Sequence, residues 1–508
     1  MASILDSLKA IQGTGKGGET PQPGDYVLHQ CAIIHGDGGA EYPFGNLVAG
    51  INLYESLESS GITGHLDVVD HVNLLQAGPL NGGELLALKF GTAGADKAGR
   101  TEFMVDCTDN TLYIHSIEQT SFSTANTVTY RVHFCSPELI KNRRIRLSQA
   151  FEGTIGDIVE NIMLNNIGTT KKMYIEPTIG LKHYIAPNMQ PLSFISDITG
   201  GAQALEKKSV TWTPSISSKS LSTEQVFKGF RNDFMFFENC DGYNFKPIST
   251  PEIDGLEFTI GLADTTTAPT TPGIKGNASK MLRTTSHSIT NTANQTNAIS
   301  NGIWSGKHIR HNAVTKSYAT YKSDYLKALV DKKHSHISET PTFEPNDSIK
   351  SLLTSEYPEG RLRFSSSSSS TNTIINKNSG LMAEPTTDTP PGLSLNRQMQ
   401  IGHLLGYHRL HITLPGISGL RAGMGAYAEL PPVGLGSGQP GQKGSEELAE
   451  NRFDNYWIIT KVSHSINLRE TEGQRAEYNC HVELANTMAM TEDELPTYNR
   501  LAASSGFR

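Results

Sequence analysis

Cysteine is scarce in this chain: five thiols in 508 residues, Cys31, Cys107, Cys135, Cys240 and Cys480, widely separated and without a C-x-x-C pair. A disulfide framework or a zinc site needs closer, paired spacing, so all five read as ordinary buried or half-buried thiols. Long apolar runs are missing as well. No window approaches the ~20 apolar residues of a membrane-spanning helix. The apolar-periodic piece near the start, Ile4-Leu5-Asp6-Ser7-Leu8-Lys9, is too short and too polar for a signal-peptide core. These absences imply folding in a cytoplasm and no stable membrane association. Charge of one sign is not concentrated either: 43 Lys and Arg stand against 51 Asp and Glu, a formal net charge of −8. A nucleic-acid binder gathers its basic residues far more densely. The one tight cluster, Lys141-Asn142-Arg143-Arg144-Ile145-Arg146, reads as a solvated strand or loop that contacts another protein.

Catalytic patterns are also lacking. Gly13-Thr14-Gly15-Lys16-Gly17 resembles a phosphate loop only superficially, because the G-x-x-x-x-G-K-[ST] spacing is absent and no strand precedes it. There is no G-x-S-x-G elbow to present a nucleophilic serine. His403, His408 and His411 are the one dense histidine group, but they lack the H-E-x-x-H spacing and read as surface or interface imidazoles. Asp106 with Asp109 and Glu446 with Glu447 are carboxylate pairs in expected loops, with no partnered base nearby in sequence. The expectation is a non-enzymatic chain with no cofactor and no metal.

What is present is mostly strand. A chain of 508 residues exceeds one core, so two to four domains are expected. Ile51-Asn52-Leu53-Tyr54-Glu55 alternates, and Glu84 to Phe90 is a denser apolar run. Thr127 to Phe134 is the clearest strand: Val128, Tyr130, Val132 and Phe134 take one face, Thr127, Thr129, Arg131 and His133 the other. The period then changes. Ile155, Ile158, Val159, Ile162 and Met163 form a helical stripe, opened by Thr154 with Asp157 as a capping pair and stopped by Gly168. A second short helix is expected over Leu192 to Ile198, after Pro191. Asp233 to Glu238 reads as a strand turning through Asp241-Gly242 into Tyr243-Asn244-Phe245. Gly200 to Thr223, Gly261 to Gly276, the serine tract Ser365 to Ser370 with the polar stretch to Pro391, and Pro431 to Gly444 read as loops. Strands return at His408 to Leu414, Tyr456 to Thr460 and Ala476 to Leu484.

Two strand pairs near opposite ends of the chain look alike. His115-Ser116-Ile117 leads to Tyr130 and His133; His464-Ser465-Ile466 leads to Tyr478 and His481. In both, a strand passes through a polar loop into an alternating strand with Tyr inward and His outward. The repeat suggests two related β-domains separated by an insertion, so that three copies could present six similar faces.

Ordered short motifs extend this. They are Tyr54-Glu55-Ser56, Gly64-His65-Leu66-Asp67-Val68-Val69-Asp70, Pro79-Leu80-Asn81-Gly82-Gly83-Glu84, Tyr130 to Glu138, Phe151 to Val159 and Phe236 to Phe245, then Leu420-Arg421-Ala422-Gly423-Met424 and Tyr456 to His464. Taken in order, they resemble the central hub proteins of contractile-tailed phage baseplates and the hub portion of type VI secretion spikes. The serine tract, the Thr/Pro loop near 265 and the stretch 313–395 have no counterpart in that pattern. The resemblance implies a mainly β fold with an α/β insertion: two tube-like antiparallel β-barrel or sandwich domains plus mixed insertion domains. It implies a homotrimer forming a pseudo-sixfold ring, with the central spike protein, the tail tube protein, baseplate wedge proteins and the tape-measure protein as partners. DNA would only transit the lumen, which an acidic lining would suit. The place implied is the tail baseplate of a virion assembled in the host cytoplasm.

The domain organisation expected is a lead-in over 1–25, a first tube-like β-domain over 26–135 and a mixed α/β insertion over 136–205. The second tube-like β-domain would begin over 206–312, be interrupted over 313–395 and finish over 396–490, with a tail over 491–508. The outer faces of the alternating strands supply the candidate subunit-interface residues: Thr129, Arg131 and His133 in the first domain, Asn479, His481 and Glu483 in the second. Two other readings stay open at this level: a glycan-binding adhesin using aromatics such as Trp304 and Tyr427, and a cell-wall hydrolase built from dispersed Glu, Asp and His.

Overall fold

The computed structural model describes residues 23–35, 41–77, 80–95, 99–124, 127–205, 230–231, 233–248, 258–262, 283–291, 305–312, 316–324, 362–367, 408–429, 455–468 and 476–486. The lead-in over 1–22, most of the expected loops, Trp304, His403, Glu446 and Glu447 lie outside these residues.

The first half supplies seven strands: β1 (Tyr26–Ile34), β2 (Glu41–Pro43), β3 (Val48–Ser56), β4 (Thr63–Asp70), β5 (Leu85–Thr92), β6 (Met104–Thr124) and β7 (Thr127–Cys135). Asp106 and Asp109, expected in a loop, lie within β6 instead, where Asp106 pairs with Lys89 of β5 at 2.6 Å. An α/β unit follows. Helix α1 (Pro137–Arg144) carries Lys141, Arg143 and Arg144 in its last turn, so the basic cluster expected in a strand or loop is helical up to Arg144, with Arg146 beyond the helix end. Pro137 at its first turn and cations at its C-terminal end both favour that helix.

Helix α2 (Ile155–Asn161) starts as expected: the Thr154 hydroxyl accepts from Asp157 N and donates to the Asp157 carboxylate at 2.6 Å. It then widens into a π-helical turn over Ile162–Ile167 and stops at Gly168, whose φ of 67° suits a left-handed cap. Helix α3 (Pro191–Thr199) buries Leu192, Phe194, Ile195 and Ile198. These helices share a core with Phe151, Phe234, Tyr243 and Phe245. The unit's strands are β8 (Ala150–Gly153), β9 (Met173–Ile175), β10 (Lys182–Ile185), β11 (Ala204–Leu205), β12 (Phe230–Arg231), β13 (Phe234–Asn239) and β14 (Gly242–Pro247). The β13–β14 hairpin turns at Asp241-Gly242 as expected, yet it pairs with β9 of the α/β unit, with Asn244 beside Tyr174. At Gly242 a side chain would stand 2.3 Å from the Lys172 carbonyl oxygen, so only glycine fits that turn.

The remaining strands are β15 (Phe258–Leu262), β16 (Arg283–Thr284), β17 (Ser286–Asn291), β18 (Ser305–Asn312), β19 (Ser317–Asp324), β20 (Leu362–Ser367), β21 (His408–Pro415), β22 (Gly425–Glu429), β23 (Asn455–Asn467) and β24 (Glu477–Asn486). Strands β18, β19 and β20 form a separate three-stranded sheet. Its strand β20 takes in Ser365, Ser366 and Ser367, so half of the serine tract expected as loop is strand, pairing with Arg310, His311 and Asn312. Ladder hydrogen bonds come from the backbone, so serines can pair in a sheet as apolar residues do.

Two tube-like domains were expected; the structure is mainly β with an α/β insertion, but among the described residues the strand ladders do not close into barrels: fourteen strands join into one open sheet. Seven come from before the insertion, in the order β3-β4-β7-β6-β5-β1-β2, and seven from after it, in the order β17-β21-β24-β23-β22-β15-β16. Numbered within each half, both orders read 3-4-7-6-5-1-2. The first five strands of each series are antiparallel throughout. The last two differ, since β15 lies parallel to β22 and to β16, whereas β1 is antiparallel to β5 and β2.

One long strand joins the halves. β24 lies along one edge of β23, while the other edge is divided: residues 455–458 pair with β22 and residues 461–467 pair with β3 of the first half. A single apolar core runs beneath both halves, from Ile33, Leu66, Phe90 and Val132 to Leu410, Trp457 and Leu484.

Candidate functional site

The antiparallel ribbon β17-β21-β24-β23-β3-β4-β7-β6 has one face on the core and one face open. Period-two alternation sorts the side chains. Tyr130, Val132, Phe134, Tyr478, Cys480 and Val482 point inward. All six candidate interface residues lie on the open face, in two patches, one on each half.

In the first patch Arg131 donates to Asp67 at 2.7 Å, Thr129 and Ser121 exchange a hydroxyl hydrogen bond at 2.5 Å, and His133 Nε2 lies 3.5 Å from the Glu118 carboxylate. Four rings cross the strands in a row: Tyr54 to His65 at 5.8 Å, His65 to His133 at 5.8 Å, and His133 to His115 at 6.1 Å. Burial, and the positive charge of Arg131, hold the His65 imidazole below its usual pKa.

In the second patch Glu483 pairs with Arg409 and, at 3.2 Å, with Lys461. Burial raises its pKa, but those two cations outweigh it and hold the carboxyl below the usual range. His481 Nδ1 lies 3.0 Å from the Thr413 hydroxyl, and Asn479 stands opposite Ser465 and Pro415. Beside this patch a shallow cleft of about 560 Å³ spans Tyr54, Ser288, His411, Lys461 and His481. In these patches Asp67 and Glu483 each face a cationic neighbour. Among the described residues no group of three or more His, Cys, Asp or Glu side chains is arranged to hold a metal.

The repeat is legible in the second strand of each pair but not in the first. Both hairpins form, Tyr130 and Tyr478 are buried, and His133 and His481 face outward. The matched histidines before them differ: His115 is exposed at an irregularity in β6, whereas His464 is wholly buried. His115 is the extra residue of a bulge between Ile114 and Ser116, and the two His-Ser-Ile triplets pair in different registers: Ile117 lies opposite Val132, whereas it is His464, not Ile466, that lies opposite Cys480, the counterpart of Val132.

Sequence reasoning missed a second arrangement, buried where the two halves and the insertion meet. Glu55, on the inward side of β3, accepts from Cys240 N and Ala422 N, both at 2.9 Å. Burial pushes its carboxyl above the usual range, against the pull of Arg421. Arg421, itself buried, donates to Asp241 at 3.2 Å and to the carbonyl oxygens of Met104, Ser418 and Leu420. Nearby Lys171 bridges Glu138 at 2.9 Å and Glu238 at 2.6 Å, and Glu238 also accepts from Ile62 N of the first half. The signal was present: Tyr54-Glu55-Ser56, Phe236 to Phe245 and Leu420 to Met424 are three of the ordered motifs, and they converge here. Gly423 closes the arrangement, with φ of +89° and a would-be side chain 2.7 Å from Phe237.

No protein-family model matches the chain, and no curated protein does. Among solved structures it is similar to the 43 kDa tail protein of prophage MuSo2 from Shewanella oneidensis, with TM-score 0.47 and 10% identity, covering 92% of this chain and all of that one. It is also similar to the tail protein from Neisseria meningitidis MC58, with TM-score 0.45 and 9% identity over 90% of this chain and 97% of that one. The E. coli c3393 protein, described as a component of the type VI secretion system, aligns with TM-score 0.38 and 9% identity over 92% of this chain and 77% of that one. At such scores and identities these likenesses do not by themselves assign a function.

Proposed function

We propose that this chain is a structural hub subunit of a contractile phage tail baseplate, a trimer whose six matched units form a ring between the central spike and the tail tube. The observation that carries the reading is the duplicated strand order fused into one sheet. A threefold object meets a sixfold one without mismatch if each of its three chains carries two equivalent units. The ordered hub-like motifs support the same reading, and three of them fall at the junction that fixes the two units side by side.

The dimensions are compatible with a conduit. Eight ribbon strands spaced roughly 4.8 Å apart make about 38 Å of arc, so three copies enclose a ring about 37 Å across at the backbone. The core holds the outside of such a ring, and the polar face with its paired charges lines the hole. A lining whose cations are already engaged releases few counterions from passing DNA, and so does not trap it. In this reading the α/β unit and the three-stranded sheet stand outward, toward wedge, spike or tube.

Light scattering of the purified chain should give three times its 55.2 kDa mass, and electron microscopy a ring with a central hole. A strict monomer at high concentration, alone and with a spike partner present, would contradict the reading.

A further inference from the structure

Lys171 stands between two carboxyls where one would neutralise it. Its Nζ donates to Glu238 Oε1 at 2.6 Å and to Glu138 Oε2 at 2.9 Å. The three side chains are 8%, 1% and 4% exposed, so little water reaches them. The buried Tyr243 ring covers the ammonium, its centroid 5.7 Å from Nζ. A structural pair needs one acid and one base. A second buried carboxyl adds a desolvation cost with no cation of its own.

The surroundings give the two carboxyls different protonation. Burial raises the Glu138 pKa, but Lys171 outweighs it and holds that carboxyl below the usual range. At Glu238 burial, with the charge of Glu138 added, prevails over the pull of Lys171 and holds the carboxyl above it. Burial lowers the Lys171 pKa, but the two carboxyls outweigh it and the amine stays protonated. The set is therefore an ammonium, a carboxylate at Glu138 and a neutral acid at Glu238, with no net charge. These are the parts of an amide condensation: an amine, a neutral carboxylic acid touching it, and a carboxylate to carry protons.

We infer that Lys171 and Glu238 join in an intramolecular isopeptide bond, with Glu138 as the proton carrier. Glu138 takes one proton from Nζ along their hydrogen bond and frees the amine. The amine attacks the Glu238 carboxyl carbon, one bond from the oxygen that Nζ already touches. Ile62 N, 3.1 Å from Oε2, donates to the oxygen on which negative charge develops. Glu138 passes its proton to the Oε1 hydroxyl, which leaves as water, and takes the second proton from Nζ. The C–Oε1 bond is exchanged for a C–Nζ bond, and no outside reactant is needed. Glu138 ends protonated, with the Thr169 hydroxyl donating to it at 2.8 Å. The product holds no buried charge, so condensation removes the desolvation cost of the separate ions. The bond spans 67 positions of sequence and ties β13 to the segment before β9, where Glu238 also holds Ile62 of the first half. It fastens the α/β unit beside the sheet and does not depend on the ring reading.

The test is mass spectrometry of the full-length chain, kept folded at neutral pH for several days and then denatured. Its intact mass should fall short of the sequence mass by one water. Trypsin should leave Lys171 uncut, in a peptide joined to the one that holds Glu238. Lys171→Arg and Glu138→Gln should both show the full mass, the second because a carboxamide cannot carry the proton. Glu238→Gln should lose ammonia in place of water, since its carboxamide then supplies the leaving group. A native chain of full mass with Lys171 freely cleaved would overturn the bond, however the variants behave. Loss of ammonia from Glu138→Gln would overturn the assignment of Glu238 as the carboxyl attacked.

Discussion

The two halves of the sheet share a strand order but were filled differently. In the first, Tyr130 on strand 7 reaches Asp70 at the end of β4, a 3.4 Å contact to a carboxylate that also accepts from Val72 N and Leu75 N. In the second, the matching Tyr478 lies 2.7 Å from His464 Nδ1 inside the core, with Cys480 Sγ 3.5 Å from the same nitrogen. Phe90 of the first half packs edge-on against both rings. The first half therefore ties its tyrosine to a loop, whereas the second ties its tyrosine to the seam between halves. A duplicated unit can keep its topology while one copy takes on the work of holding the pair together, and buried charges meet on that seam, Glu55 from one half and Arg421 from the other, beside the exposed Asp241 from the insertion.

The strongest way to break this asymmetry is to remove Arg421. Its guanidinium is wholly buried and engages three carbonyls and Asp241, with Glu55 held under its charge. Arg421→Ala should cost about 3–5 kcal/mol in denaturant unfolding, because one partner of a buried charged set is left uncompensated. Arg131→Ala, which breaks only the half-exposed pair with Asp67 on the open face, should cost about 1 kcal/mol or less. Equal losses would mean that the seam is no more tightly held than the surface.

Acid should act on the second half first. Burial, helped by the charge of Arg421, lowers the His464 pKa from 6.5 to about 3. The folded state keeps this imidazole neutral while the unfolded chain protonates it below pH 6.5, so the stabilisation is complete above that value and is lost as pH falls toward 3. Between pH 7 and pH 5 the loss should be about 2 kcal/mol, a figure set by the unfolded chain's protonation so long as the folded pKa stays below 5. Urea midpoints across that range should fall for the native chain and much less for His464→Gln.

Much of this was readable from local patterns. The Thr127–Phe134 alternation, the Thr154 cap, the Gly168 stop and the Asp241-Gly242 turn each depend on a few neighbouring residues, and each stands where its pattern put it. Features that depend on distant pairing were not readable. Nothing local in Ser365 to Ser367 announces a strand, because its partner is β18. The alternation of Ile51, Leu53 and Glu55 turns Glu55 inward, but nothing local names its donors, because Cys240 and Ala422 lie 185 and 367 residues away. The equivalence of His115 and His464 fails because the two triplets pair in different registers, Ile117 opposite Val132 but Ile466 opposite Tyr478, which a spacing count cannot reveal. The same limit applies to the interface candidates: alternation shows which face a side chain takes, but not what that face meets.

The finest comparison lies in the two tyrosines themselves. Tyr478→Phe deletes a hydroxyl at 2.7 Å from His464 and leaves a buried imidazole nitrogen with only the Cys480 sulfur nearby, so it should cost about 1–3 kcal/mol. Tyr130→Phe deletes a longer contact whose acceptor keeps two backbone donors, and should cost roughly 0.5 kcal/mol. Paired thermal and urea unfolding of the two variants, with identical volume removed from matching strands, isolates the partner from the position. If both lose the same amount, the tyrosine is required by the repeated fold alone. If only Tyr478→Phe is costly, the second half's seam depends on a hydrogen bond that the first half does not have.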